Sequence, residues 1–299
     1  DVDNDGDMDY VAGNFGLNSR YQPAKDKPIE LWSADFDDNG SLDPLLTIWW
    51  NDKRHLVRER GKIFSQMPTL NRRFNEFADF ALATLDKVVD KEQLDTAYYL
   101  KATMMTSVIL VNNGSAGFSI RPLPAEAQIA PVLGIEALDL DEDDLVDLVL
   151  TGNIYGAEDD VVRYDAGKGL VLQNLGKAEF RALTLPESGF VSPFDARGLV
   201  SVRNPGSSTA PLVLISAVNS RNALTYVPSG SGMRAQAVDP KNVTSAVFTM
   251  PSGTRRVEVY CGSGYRSQTS CNMMIPPGAQ SVTFYRAGRS VGTTPYKKR

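Results

Sequence analysis

Asp1-Val-Asp-Asn-Asp-Gly-Asp-Met-Asp9 opens the chain, and its pattern returns as Asp35-Phe-Asp-Asp-Asn-Gly-Ser-Leu-Asp43 and as Asp139-Leu-Asp-Glu-Asp-Asp-Leu-Val-Asp147. Positions 1, 3, 5 and 9 of each carry a carboxylate or an amide. An apolar run follows at once: Tyr10-Val-Ala12, Leu45 to Trp50, and Leu148-Val-Leu150. The first and third copies share a further echo in Gly13-Asn14 and Gly152-Asn153, with Gly16 and Gly156 close behind. Acidic turns in register before strand-like runs predict a duplicated β unit. A fourth, worn copy keeps the strand rhythm without the acids, in Phe194 to Val202, Pro211 to Ala217 and Asn219. Short strands parted by Gly, Pro, Asn and Asp predict an all-β fold of the propeller or sandwich kind.

The loops are read as cation sites. Calcium takes about six to eight oxygen ligands at roughly 2.3–2.6 Å, and alternate side chains of a tight loop supply them economically. Crowded carboxylates repel one another unless a cation neutralises them. Gly6 and Gly40 allow the positive φ such a turn needs; Asp144 stands at that place in the third loop, where only the tolerance of Asp for left-handed geometry helps. An EF-hand needs Glu at its twelfth position and flanking helices. Here that position holds Ala12, Leu46 or Leu150 and the flanks are strand-like, so the helical hand is rejected.

The chain has 299 residues, a hydrophobic fraction of 42% and a net charge of -5, which fit a globular protein and argue against a nucleic-acid partner. No apolar run approaches the length of a membrane helix. The first residue lies inside a motif, with no initiator Met and no signal-like segment before it, and the chain reads as the back part of a longer polypeptide. Two further segments break the repeat. From about 51 to 107, Phe74, Phe77, Ala78, Ala81, Leu85 and Val88 recur at helical spacing and predict a helical insertion, followed by a hairpin through Asn112-Asn-Gly114. After Pro228-Ser-Gly-Ser-Gly-Met233, strand-like runs predict a small β-domain over 240–299, which leaves 1–235 to the repeated units. Its two cysteines, Cys261 and Cys271, suit either a disulfide or a pair of buried thiols.

The repeated loops resemble the FG-GAP/VCBS repeats of integrin-type β-propellers, in which such loops bind calcium within blades. The resemblance implies Ca2+ ligands at Asp1, Asp3, Asp5, Asp7 (through its carbonyl) and Asp9. It implies a second set at Asp35, Asp37, Asn39, Ser41 (carbonyl) and Asp43, and a third at Asp139, Asp141, Asp143, Leu145 (carbonyl) and Asp147, where Asp144 departs from the pattern. Met250-Pro-Ser-Gly253, Arg256-Val-Glu258 and Gly262 to Gln268 resemble the ASPIC/UnbV module that follows such repeats. The stretch from Leu123 through Gly152-Asn153 to Arg163-Tyr-Asp-Ala166 is similar to long VCBS-repeat proteins of Bacteroidetes-type bacteria. The implied architecture is a β-propeller, about four blades of it in this chain, where a closed ring has roughly four to eight.

That resemblance implies an exported, extracellular or cell-surface protein. The leading expectation is a non-catalytic binding or adhesion module for a glycan or protein ligand, in a setting of polysaccharide capture or uptake. A structural subunit of an outer-membrane complex is one alternative, and a polysaccharide lyase or hydrolase on a propeller scaffold is another. For catalysis the residues offer little. His55 is the one histidine, set among Lys53, Arg54 and Arg58, and neither His-Glu-x-x-His nor Gly-x-Ser-x-Gly occurs. Trp49 and Trp50 are candidate contacts, with core packing as the plainer reading, and Arg163-Tyr164-Asp165 is a polar cluster best read as a turn.

Overall fold

The computed structural model describes residues 1–157, 161–203, 212–228, 234–251, 253–259, 271–276 and 278–296. Its strands form several small antiparallel sheets. Two compact units emerge, one made of Asp1–Asn18 with Thr106–Arg299 and the other of Ser19–Met105. The chain completes the first acidic loop, forms β1 (Tyr10–Ala12) and then leaves that sheet for the whole of the second unit.

The second unit carries β2 (Ile29–Ala34), β3 (Asp43–Trp50), β4 (Lys53–Leu56) and β5 (Tyr98–Ala102), hydrogen-bonded in the order β4-β3-β2-β5. The loop Asp35–Asp43 is the β2–β3 turn, and Ala34 pairs with Asp43 across it. The helical part is narrower than residues 51–107, because β4 and β5 belong to the sheet. It is also broken into Arg60–Gln66, a 3-10 turn at Pro68–Arg72, Phe77–Ala81, Leu85–Val88 and Lys91–Thr96. Pro68 ends the first piece, and extended backbone at Thr84 and Val89 interrupts the later ones. Phe77 consequently points outward at 72% exposure, although its spacing matched the buried Phe74, Leu85 and Val88. Phe64, Phe74 and Phe80 pack ring against ring at 5.1–6.4 Å over Leu45 of β3 and form the core of this unit.

Back in the first unit, β6 (Val108–Asn112) pairs with β1, Tyr10 opposite Leu110, and β7 (Phe118–Pro122) completes the sheet β1-β6-β7. The expected hairpin through Asn112-Asn-Gly114 is the β6–β7 connection. Next come β8 (Gly134–Leu138), β9 (Asp147–Thr151), β10 (Leu170–Asn174) and β11 (Phe180–Ala182), in the order β11-β10-β9-β8. Every residue of β9 is buried, which explains its unbroken apolar run after the loop. The worn fourth copy forms β12 (Ala196–Arg203), β13 (Leu212–Val218) and β14 (Leu224–Tyr226). Strands β8 and β12 approach so closely that a Cβ on Gly134 would lie 2.6 Å from the Leu199 nitrogen, so only glycine fits there.

The remaining strands are β15 (Arg234–Ala237), β16 (Ser245–Met250), β17 (Gly253–Glu258), β18 (Asn272–Ile275), β19 (Ser281–Arg286) and β20 (Arg289–Pro295). They form the sheet β17-β16-β19-β20 and the pair β15-β18 around a core led by Phe248 and Val282. Cys261, Gly262 to Gln268 and most of the Gly/Ser stretch before residue 234 lie outside the described residues. Among the described residues no helix is long and apolar enough to cross a membrane.

Candidate metal centres

The three acidic loops close on themselves by one hydrogen-bond scheme. The N–H at position 6 donates to the carboxylate at position 1: Gly6 to Asp1 at 3.1 Å, Gly40 to Asp35 at 2.7 Å, Asp144 to Asp139 at 3.1 Å. The N–H at position 7 donates to Oδ1 at position 5: Asp7 to Asp5, Ser41 to Asn39 and Leu145 to Asp143, at 2.8–2.9 Å. The N–H at position 2 donates to Oδ2 at position 9: Val2 to Asp9 at 2.7 Å, Phe36 to Asp43 and Leu140 to Asp147 at 3.0 Å. Position 4 takes positive φ in every copy, at Asn4, Asp38 and Glu142, and so does position 6. The acids therefore do two jobs at once, since some of their oxygens shape the turn.

Other oxygens converge. One carboxylate oxygen from each of Asp1, Asp3 and Asp5 lies within 4.8 Å of the others, and the same holds for Asp35, Asp37 and Asp43 and for Asp139, Asp141 and Asp147. Each triad can hold a metal ion: an ion at roughly 2.3–2.6 Å from every donor tolerates donor separations of this size. Asp9, Asn39 and Asp143 stand beside these triads with oxygens committed to the turn, and Asp7, Ser41 and Leu145 occupy the bend through their backbone N–H.

Among the described residues, several buried oxygens of these loops have no hydrogen-bond partner: Oδ1 of Asp3, Asp37, Asp43 and Asp139. Asp43 and Asp139 are only 1% and 8% exposed. A buried carboxylate oxygen without a donor is costly, and a cation is the partner that this geometry offers. The electrostatics agree. Burial, then the charges of Asp9 and Asp5, push the Asp3 carboxyl up. Burial raises Asp43, Asp139 and Asp143 as well, and pushes Asp147 up to about 6. Each loop on its own is thus a place where negative charge is held at a cost.

A second layer of residues clamps position 9. The backbone N–H of Asn112, at the end of β6, donates to Asp9 Oδ1 at 2.8 Å, and its side-chain amide donates to the Met8 carbonyl. Asn174, at the end of β10, repeats this on Asp147 Oδ1 at 2.8 Å and on the Val146 carbonyl. In turn the side-chain oxygens accept from Gly114 and Gly176. Asn112-Asn-Gly114 and Asn174-Leu-Gly176 are therefore one motif, a signal that was present in the sequence beside the acidic repeat. Asp43 has no such asparagine clamp; the Gln66 side chain stands beside its carboxyl instead and favours the charged form.

The remaining candidates lie outside the three loops. Arg54 lies over the rings of Trp49 and Trp32 and pairs at 2.7 Å with Glu30, which also accepts from the Tyr99 hydroxyl. Trp50 is 57% exposed, with His55 edge-on to it. Tyr164 packs against Phe15 at 4.4 Å and pairs with Ile154, and Arg163 lies over Tyr155. A cavity of about 700 Å³ in the first unit is lined by Val11, Val132, Ile135, Glu136, Arg255 and Met273, among others. Glu136 is 7% exposed there, and its burial, partly offset by hydrogen bonds from Ser201, pushes the carboxyl up to about 7. Neither a family model nor a curated protein sequence matches this chain.

Proposed function

We propose that the acidic loops hold calcium and that the chain is part of an exported, FG-GAP/VCBS-type β-propeller acting as a non-catalytic binding module at the cell surface. The observation that carries this reading is the recurrence of one loop geometry three times, each copy bringing three carboxylates to within 4.8 Å of one another, with Oδ1 of Asp3, Asp37 and Asp139 buried and without a hydrogen-bond partner among the described residues. The donor set is all oxygen, the hard-ligand chemistry that suits calcium rather than zinc or copper. Each loop joins two adjacent antiparallel strands or leads into one, so an ion there stiffens a strand connection. Rigid connections are what a scaffold needs to present a glycan- or protein-binding face without losing affinity to loop ordering. The fourth repeat keeps its strands with the acids gone, which suits a scaffold in which calcium supports selected connections.

Metal analysis of the purified protein tests the first half of the proposal: calcium should co-purify, and EDTA should lower the melting temperature. At a free concentration of a hundredfold Kd each site adds about 2.7 kcal/mol, so the loss should amount to roughly 5–15 °C. Identical melting with chelator and with added calcium would remove the basis of the reading. The second half is tested by a glycan and protein array run with calcium and with EDTA. Calcium-dependent binding supports a recognition module, and turnover of a polysaccharide on the same array would move the assignment to an enzyme.

A further inference from the structure

One face of the sheet β4-β3-β2-β5 in the second unit gathers aromatic rings and charge. Residues opposite one another across paired strands share a face, as do alternate residues along a strand. The register sets Trp32 opposite Leu45 and Tyr99, Glu30 opposite Lys101, and Trp49 opposite Arg54. Leu45 belongs to the phenylalanine core, whereas Trp49 and Tyr99 stand outside it. There the face opens to solvent: Tyr99 is 39% exposed, the Arg54 side chain 41%, and Lys101 is exposed.

Arg54 organises this cluster. Its guanidinium carbon lies 5.7 Å from the Trp32 ring centre and 4.8 Å from that of Trp49, and its Nε donates to Glu30 Oε2 at 2.7 Å. Tyr99, 4.4 Å from Trp32 ring to ring, donates its hydroxyl to Glu30 Oε1 at 2.9 Å. Both oxygens of the buried carboxylate are thereby taken, while donors are in surplus. Nη1 and Nη2 of Arg54 and the Lys101 ammonium have no acceptor among the described residues, and neither do the buried indole N–H groups of Trp32 and Trp49.

We propose that this face binds an acidic glycan built of uronate sugars: the apolar faces of the sugar rings lie against Tyr99 and Trp49, and a sugar carboxylate takes the Nη edge of Arg54 and the Lys101 ammonium. The inference rests on the reading of the chain as a binding module and narrows its ligand. Tyr and Trp offer large, rigid contact area at low conformational cost. The planar guanidinium fork matches a carboxylate, and donors without spare acceptors favour an anionic, acceptor-rich ligand over a neutral one. Glu30, at 2% exposure, is a positioning residue that fixes the guanidinium between the two indoles.

Calorimetric titration of the full chain, at one fixed calcium concentration, with short oligosaccharides of galacturonate, guluronate and glucuronate reads the ligand, and their methyl esters read the charge. At least one acid should bind, and its ester should bind at least about tenfold more weakly. Trp32 and Trp49 are two of the three tryptophans of the chain, so binding should also change the intrinsic fluorescence. Lys101→Gln, at an exposed position, should weaken binding about two- to fivefold and leave the melting temperature unchanged. Arg54→Gln combined with Glu30→Gln removes the ion pair without leaving a lone buried charge, and should weaken binding at least about tenfold. Acid and ester bound alike, fluorescence indifferent to the bound acid, or wild-type affinity in K101Q would overturn the proposal, and K101Q and the fluorescence decide the matter should the double variant misfold. A chain that binds other ligands on the glycan and protein array but none of these acids overturns this inference alone, whereas a chain that binds nothing on the array sinks the binding-module reading beneath it.

Discussion

At the scale of single residues, the loops show where side-chain identity is dictated by backbone and where it is not. Gly6 and Gly40 sit at φ +96° and +84°, and a Cβ at either would meet nothing within 4 Å. The constraint is therefore conformational rather than steric, and Asp144 meets it at φ +70°. That outcome was legible in the sequence, because Asp is among the few residues that tolerate this region. Glu136 was not legible, since nothing in Gly134-Ile-Glu-Ala-Leu138 says that the acid is buried beside Ser201. Its carboxyl is raised from 4.5 to about 7 by burial. The folded state therefore holds a proton that the unfolded chain has released, so its contribution is full below about pH 4.5 and is lost as pH rises to about 7. The cost above that pH is about 3 kcal/mol. Glu136→Gln should accordingly match wild type in urea denaturation at pH 4.5, and exceed it by about 2–3 kcal/mol at pH 8, with calcium held saturating throughout. Parallel pH profiles for the two proteins would show that Glu136 keeps an ordinary carboxyl.

Elements were legible in proportion to how local their causes are. The loop-to-strand junctions, the β6–β7 hairpin and the strands of residues 245–286 follow from short-range signals, turn residues and alternation, and they stand where those signals put them. The helical stretch was only half legible: its apolar spacing is real, but Pro68 and the extended Thr84 and Val89 cut it into pieces of one or two turns, and tertiary packing around Phe64 and Phe80 chose which phenylalanines to bury. The Asn-x-Gly clamps lay in the sequence as a second repeat, weaker than the acidic one because a single Asn carries it. Asn174 is 1% exposed and its side-chain amide bridges the carbonyls of Val2 and Val146 while its oxygen accepts from Gly176. Asn174→Ala leaves those buried groups without partners and should cost about 2–4 kcal/mol in chemical denaturation. Asn112→Ala, at a half-buried site with fewer partners, should cost about 1 kcal/mol. Equal costs would mean that burial at the clamp is not what matters.

At the scale of the molecule, the order of the repeats along the chain misleads about their arrangement. Three loops in series suggest three consecutive sheets, yet Tyr10 pairs with Leu110 and Ala12 with Val108, so the second loop belongs to a unit inserted within the sheet that follows the first. Pairing across residues 19–105 is a non-local event that no window of sequence reports. The insert is self-sufficient in its core, which an expected helical insertion over about 51–107 did not convey. Its buried cluster, from Phe36 and Leu45 through Phe64, Phe74 and Phe80 to Val89, is drawn wholly from residues 19–105. The clusters of the other unit draw on none of them. A segment with its own sheet, its own aromatic core and its own acidic loop has what a small domain needs to fold alone, with bound metal as the supplement that domains of this size often require. Expressed by itself, Ser19–Met105 should show a cooperative melt and bind a single calcium ion, and Asp43→Asn should abolish that binding. If the isolated segment stays unfolded by circular dichroism at saturating calcium, the insert depends on the rest of the chain, and the second loop is not an autonomous site.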